Sequence, residues 1–371
     1  GGNSTAHAMV YTVANTSAWF SWPPTKTHTY ISGNGTDDRF GERVHMRSDG
    51  NQIVVSAPEW NRPGYGSNYG FVRNYEYTNG SWSALGNDII GAYSNFLKGS
   101  SAVGLSGDGY IMVIGTSRPS GGYQGGVAEI YEKVVNANAP GGYDWSIVNS
   151  YTGGSTTSIW PNYNSIPENL GYDVVISRTG APHNIFISTP NRDDGYTEFL
   201  GKVDVYTYNS GAPVTTTTTS LSQRGISLPG EGIDMSNDGS RVVGGSSYTW
   251  DNTNYVYDGP VGSTVPWVNY YYNSPLGATE VSISGDGTRV FTAGRSFPSG
   301  GYSKLHLWNW SGGEWTGNAT NEVKLVPTMT NVTPNTDGSF VTYVGGSQGS
   351  HYVEVTQITT TNQREYNSRR S

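Results

Sequence analysis

The sequence predicts an all-β fold built from repeated antiparallel hairpins, and three observations predict it. Composition is the first. Of 371 residues 51 are Gly, 13% are aromatic and only 13% are charged, which suits many short strands joined by tight turns rather than helices rich in Ala, Leu, Glu and Lys. The second is an internal repeat, in which apolar alternation runs into Ser-x-Asp-Gly, or a relative of it, and then into another apolar run ending in small residues. The third is its spacing: successive copies lie roughly 50 to 70 residues apart, the length of one four-stranded blade with its loops. Together these predict a single β-propeller domain over residues 1–371, of about six four-stranded blades, with a seventh left open.

The elements follow in chain order. Val10-Tyr11-Thr12-Val13 with Trp19 reads as the last two strands of a blade without its first hairpin, so residues 1–36 are assigned as closing strands. Val44-His45-Met46-Arg47-Ser48-Asp49-Gly50 then leads into Gln52-Ile53-Val54-Val55-Ser56-Ala57-Pro58. Later copies are Leu105-Ser106-Gly107-Asp108-Gly109, the degenerate Ile176-Ser177-Arg178-Thr179-Gly180, Met235-Ser236-Asn237-Asp238-Gly239, Ile283-Ser284-Gly285-Asp286-Gly287 and Asn335-Thr336-Asp337-Gly338. Each Asp-Gly between period-2 runs marks a hairpin, because Gly accepts the positive φ of the turn. Ser and Asp in the motif are read as bonding the turn backbone. The rest of a blade shows as Val72-Arg73-Asn74-Tyr75-Glu76-Tyr77 with Trp82, and as Leu305-His306-Leu307-Trp308 with Trp315. The abundant Ser, Thr, Asn and Tyr suggest strands with one wet face. The run from Thr215 to Thr219 reads as a low-complexity loop, Tyr352-Val353-Glu354-Val355 as one strand too many, and residues 360–371 as a flexible tail.

Charge and composition narrow the function classes. A net charge of -8 argues against nucleic acid as the main partner, since phosphate binding draws on basic clusters. There is no cysteine, which excludes disulfides and thiolate chemistry. No stretch approaches the ~20 apolar residues of a membrane span. The chain opens on Gly-Gly, which leaves room for a removed leader.

The first repeat carries Asp37-Asp38-Arg39-Phe40-Gly41-Glu42-Arg43-Val44 and later Val55-Ser56-Ala57-Pro58. This resembles the FG-GAP repeat of integrin-α-type propellers, and is more similar still to Ser-x-Asp-Gly repeats of uncharacterised surface and virus-encoded proteins. The stretch Asn79 to Gly91 strengthens the second likeness. The resemblance spans nearly the whole chain and implies a propeller, with calcium in an acidic turn of some blades. Only Asp234, Ser236 and Asp238 offer spaced oxygens for such an ion, and the later acidic ligand is absent. No other cofactor is expected.

Catalytic signatures are missing: the six histidines are scattered, with no zinc-type pair, and no Gly-x-Ser-x-Gly elbow or phosphate loop appears. His45 and His306 lie inside strand patterns. Loops between the second and third strands of successive blades combine Arg with aromatics: Trp60, Arg62 and Tyr65; Arg118 and Tyr123; Arg192 and Tyr196; Trp250 alone; and Arg295, Phe297 and Tyr302. All emerge on one face, where Arg and aromatic planes suit a carboxylate or sugar ligand, or else brace one another. Sequons stand at Asn3, Asn15, Asn34, Asn79, Asn309, Asn318 and Asn331. The expectation is therefore a non-enzymatic extracellular, cell-surface or virion propeller that binds glycan or a surface protein. The alternatives are a fibre or virion subunit that self-assembles through its chain ends, and a sialidase-like glycoside hydrolase.

Overall fold

The Asp-Gly turns set the local structure. Ser106 Oγ donates to Asp108 Oδ1 at 2.6 Å, and that oxygen accepts from the Tyr110 amide at 3.0 Å. The Ile111 amide donates to Ser106 Oγ at 2.9 Å, and Gly109 sits at φ 75°. The same set closes Ser236 to Arg241 and Ser284 to Arg289. In the first copy Arg47 replaces the serine and grips Asp49 through Nε and Nη2 at 2.7 and 2.6 Å. The third copy is two residues longer and keeps Ser177, which accepts from the Asn184 amide at 3.0 Å.

These bonds hold the turn aspartates below the ordinary carboxylate range. For Asp49, the Arg47 hydrogen bond brings the pKa to about 2. At Asp108, Asp238 and Asp286 burial pulls upward, but hydrogen bonds from His183, Ser106, Ser236, Ser240, Ser284 and Thr288 outweigh it. A depressed folded pKa contributes stability that is complete above the unfolded value of about 4 and lost as pH falls through the folded value. Thermal melts between pH 5 and 2 are therefore expected to show midpoints dropping below pH 4. Changing Asp49, Asp108, Asp238 and Asp286 to Asn should flatten that slope; a slope unchanged in the quadruple variant would refute the assignment.

The computed structural model describes residues 7–13, 26–32, 38–117, 125–156, 166–190, 201–211, 214–221, 232–245, 253–258, 268–273, 278–295, 303–311, 314–316, 322–326, 329–334, 340–347 and 350–357. The chain divides into two compact units, Gly1–Gly225 and Ile226–Ser371. Unit 1 opens with the antiparallel pair β1 (His7–Val13) and β2 (Lys26–Ser32). A first sheet follows: β3 (Val44–Met46), β4 (Gln52–Ala57), β5 (Phe71–Thr78) and a broken fourth strand, β6 (Ser81–Ala84) and β7 (Ile89–Ile90), both on β5. The second sheet is β8 (Ala102–Leu105), β9 (Ile111–Thr116), β10 (Val127–Val135) and β11 (Tyr143–Thr152). After a small pair, β12 (Ser155–Thr156) and β13 (Ile166–Pro167), the third is β14 (Val174–Ile176), β15 (His183–Thr189), β16 (Lys202–Tyr208) and β17 (Thr215–Leu221). The threonine run is thus a strand: its β-branched residues favour the pleat and pair with β16.

Unit 2 repeats the plan. Its first sheet is β18 (Gly232–Met235), β19 (Arg241–Gly245), β20 (Thr253–Asp258) and β21 (Val268–Asn273). The next is β22 (Ala278–Ile283), β23 (Arg289–Arg295), β24 (Ser303–Ser311), β25 (Glu314–Thr316) and β26 (Glu322–Val326), with β25 and β26 again sharing one neighbour. A three-stranded sheet of β27 (Met329–Pro334), β28 (Phe340–Ser347) and β29 (Ser350–Gln357) ends it. The strand over 352–355 therefore belongs to a C-terminal meander. Trp19 and residues 360–371 lie outside the described residues.

Strands β4, β9 and β15 are buried along their whole length, so the expected wet face is absent there. Neighbouring sheets cover both faces of β4 and β9, and these second strands accordingly read as near-continuous apolar runs. Val54, Val72, Val103, Leu105, Met112 and Ile114 fill the space between the first and second sheets. Ile111, Val113, Ile130, Ile185 and Ile187 do so between the second and third. Ala8, Val10 and Ile31 of the N-terminal pair share a core with Phe40, Ile53 and Phe71. In unit 2, Val243, Val256, Ile283, Val290 and Trp308 join its first two sheets. Each fully buried aliphatic or Phe contributes about 1.5–3 kcal/mol.

Candidate functional site

Antiparallel order places the Asp-Gly turns at one end of each sheet, and the loops between second and third strands, with the connections between sheets, at the other. Before each first strand of unit 1 the chain makes the same turn. Arg39 (φ 51°), Leu97 (φ 57°) and Asn169 (φ 58°) precede Phe40-Gly41, Lys98-Gly99 and Leu170-Gly171, and the three glycines also have positive φ. The Gly41 amide donates to the Ser56 carbonyl and Gly171 to that of Ser188, both at 2.9 Å. The Phe-Gly motif is therefore a structural repeat, although the aromatic appears only once.

This turn delivers Arg43 to the loop end of β3, its amide held by Ser56 Oγ at 3.1 Å. Arg39 engages the two nearby carboxylates, Glu42 at 3.5 Å and Glu59 at 3.2 Å. Arg43 is exposed and donates through Nε to the Ser100 carbonyl at 3.4 Å; among the described residues it has no carboxylate partner. Ser101 Oγ and Ser117 Oγ lie 2.6 Å apart beside the same strand ends. A guanidinium with unused donors next to hydroxyls can bind a carbonyl or carboxylate oxygen and a polyol.

Lys98, at the position of Phe40 and Leu170, is 2% exposed. Its Nζ pairs with Glu129 and donates to Tyr131 Oη at 2.9 Å. Burial lowers the Lys98 pKa against the attraction of Glu129, and burial raises that of Tyr131. This cluster is enclosed between two sheets.

Among the loop residues singled out in the sequence, Trp60 packs edge-on against Phe71 with ring centroids 5.4 Å apart. Arg62 lies 4.1 Å over the ring of Tyr65 and 5.8 Å from that of Tyr69, so it braces its own loop, while Tyr65 remains 67% exposed. Arg295 ends β23, paired with Ser303, rather than lying in a loop. Arg118, Tyr123, Arg192, Tyr196, Trp250, Phe297 and Tyr302 lie outside the described residues. The calcium candidates separate: Asp234 accepts from the Met235 and Ile283 amides at 2.8 and 3.0 Å. Asp238 Oδ1 meanwhile accepts from Ser236 and Ser240 within the turn. Among the described residues no His, Asp and Glu group of three could hold a metal. Asn79 is exposed at the β5–β6 turn, Asn309 lies half-buried in β24, and Asn331 lies in β27. Asn3, Asn15, Asn34 and Asn318 lie outside the described residues.

No protein-family model matches the chain, and no curated protein does, so the finer likeness to FG-GAP repeats gains no support there. Solved structures do match. The periplasmic gluconolactonase of Pseudomonas aeruginosa aligns with TM-score 0.55 and 13% identity, over 96% of this chain and 93% of that one. A Bacteroides uniformis protein assigned provisionally as a 6-phosphogluconolactonase aligns with TM-score 0.54 and 10% identity, over 89% and 87%. The β-propeller domain of Cps50 (Swd1) from Myceliophteria thermophila aligns with TM-score 0.50 and 9% identity, over 88% and 87%. The fold is a β-propeller.

The comparison corrects the functional expectation. A non-enzymatic adhesion or binding module was inferred from missing elbow, zinc-pair and phosphate-loop signatures. Propellers named as lactonases share this architecture, so the lack of those signatures does not exclude an enzyme. Sequence reading also missed Arg43 and Lys98. The signal for both was the glycine before each first strand, which aligns Lys98 with Phe40 and Leu170.

Proposed function

We propose that the chain is a hydrolase that opens the lactone ring of a sugar acid, with Arg43 binding the lactone carbonyl. The observation that carries this reading is the exposed Arg43 guanidinium, which has no carboxylate partner among the described residues. In such a reaction water adds to the carbonyl carbon, the ring C–O bond breaks, and the ring oxygen leaves as a hydroxyl while the acid proton is released. Negative charge grows on the carbonyl oxygen before that bond breaks, and a fixed cation there stabilises the transition state more than the ground state. Ser101, half-buried beside the same strand ends, offers a hydroxyl to a polyol ring. The lactonase names among the structurally similar propellers support the substrate class. The same reading takes the ring as about six blades, from the count of Ser-x-Asp-Gly copies.

The test is ring opening of aldonolactones, followed by proton release against the spontaneous rate. Wild-type protein is expected to exceed that rate, and Arg43→Met to lower kcat/KM by about 10²–10³ with an unchanged circular dichroism spectrum. No acceleration by wild-type protein across the panel would overturn the hydrolase reading, and equal rates in the variant would remove Arg43 from it.

A further inference from the structure

The turn between β5 and β6 joins its strands through two residues, Asn79 and Gly80, and both have positive φ, 51° and 84°. That is type I′ geometry, for which Asn-Gly is a preferred pair. Thr78 and Ser81 close the ladder beneath it, and Ser81 Oγ donates to the Thr78 carbonyl at 3.4 Å. All four residues are exposed. A Cβ added at Gly80 would meet no described atom within 4 Å, so the space around the turn tip is open. Among the described residues the Asn79 side-chain amide has no hydrogen-bond partner.

Asn79-Gly80-Ser81 is an acceptor sequon for an N-linked glycan, and the fold separates it from the other two within the described residues. Asn309 sits half-buried in β24, between Arg289 of β23 and Thr316 of β25, where a glycan would have to leave from inside a ladder. Asn331 lies within β27. The corresponding connection of the second sheet, residues 136–142, packs against the first sheet: the Gly86 amide donates to the Pro140 carbonyl at 2.8 Å, and Ala139 is buried. A second observation at the β5–β6 turn points to a sugar. Tyr77, two residues before Asn79, lies directly across from the half-buried Trp82, with ring centroids 5.2 Å apart. Tyr77 is 39% exposed, so this aromatic pair keeps open surface at the base of the turn. The C–H face of a pyranose is apolar and packs on such a ring.

We propose that Asn79 is an N-glycan acceptor and that Tyr77, with Trp82, seats the first sugar. The donor is a lipid diphosphate-linked oligosaccharide. Asn79 Nδ2 attacks C1 of its first N-acetylhexosamine: the Nδ2–C1 bond forms, the C1–O bond to phosphate breaks, the lipid diphosphate leaves, and Nδ2 gives up one proton. Asn79 lies at the turn end of the first sheet and Arg43 at its loop end, so the glycan leaves the lactone site uncovered and the inference stands apart from that reading.

The experiment expresses the full chain behind a cleavable signal peptide in a host that N-glycosylates, and reads the Asn79 peptide by mass spectrometry in both secreted and retained protein. A glycan on that peptide is expected in the wild type. Ser81→Ala leaves the Asn-Gly turn in place and should abolish the modification, as should Asn79→Gln. With every glycan trimmed enzymatically to its first sugar, the wild type should melt about 2 °C above Asn79→Gln. The same comparison in a Tyr77→Val background, whose β-branched replacement suits the strand, should show no difference, and it cancels the effect of the tyrosine on folding itself. An unmodified Asn79 peptide in the wild type, a glycan that persists in Ser81→Ala, or a midpoint difference undiminished in Tyr77→Val would overturn the proposal.

Discussion

Glu129→Ala is expected to destabilise the protein by about 3–5 kcal/mol, because it leaves the Lys98 ammonium buried without its counter-charge. Lys98 is 2% exposed and the Glu129 side chain 13%, so neither water nor salt substitutes for the lost partner. Tyr131 Oη remains beside Nζ but supplies only a neutral hydrogen bond. Lys98 sits between the rings of Phe96 and Tyr131 at 5.6 and 5.2 Å, which favours the cation without replacing a full negative charge. The double variant Lys98→Leu, Glu129→Leu should behave differently. Other sheets carry Phe40 and Leu170 at the Lys98 position, both buried, and apolar replacement of a buried pair is often neutral or stabilising. Denaturant midpoints of the two singles and the double check this. Singles no weaker than wild type, or a double as weak as the worse single, would show that the pair does not act as described.

Gly107→Ala is the second large effect, at about 3 kcal/mol, the upper part of the range for overpacking. The new methyl would occupy the space of the Arg178 carbonyl, and backbone of a neighbouring turn cannot rotate aside as a side chain does. Gly285 provides an internal control at the equivalent position in unit 2. A Cβ there meets the Asn237 side-chain amide, which can turn away, so Gly285→Ala should cost about 1 kcal/mol. Equal midpoints for the two alanine variants would remove the contact between the second and third turns as the cause.

Much of the repeat was legible because its determinants are local. A Ser-x-Asp-Gly turn closes through atoms at most five residues apart, as Ser106, Asp108 and Ile111 show, so a one-dimensional pattern contains it. The Arg and aromatic loops were ambiguous for the complementary reason. Trp60 and Arg62 look alike in sequence whether they face a ligand or Phe71 and Tyr65, and only packing separates the two. Lys98 was overlooked because a lysine in a loop is ordinarily solvated. Its burial depends on Glu129 and Tyr131, more than thirty residues later.

By itself the sequence determined the all-β class, the blade-length repeat and the hydrogen bonding of its turns, since short-range geometry and the period-2 pattern depend on neighbours in the chain. Only the tertiary structure decided which arginines keep free donors. Arg39 and Arg43 are four residues apart, yet one is held by Glu42 and Glu59 and the other opens to solvent beside Ser100. Whether a charge is available depends on which carboxylates the fold brings within about 4 Å: Glu42 is three residues from Arg39, but Glu59 is twenty away and reaches it only through the pairing of β3 with β4.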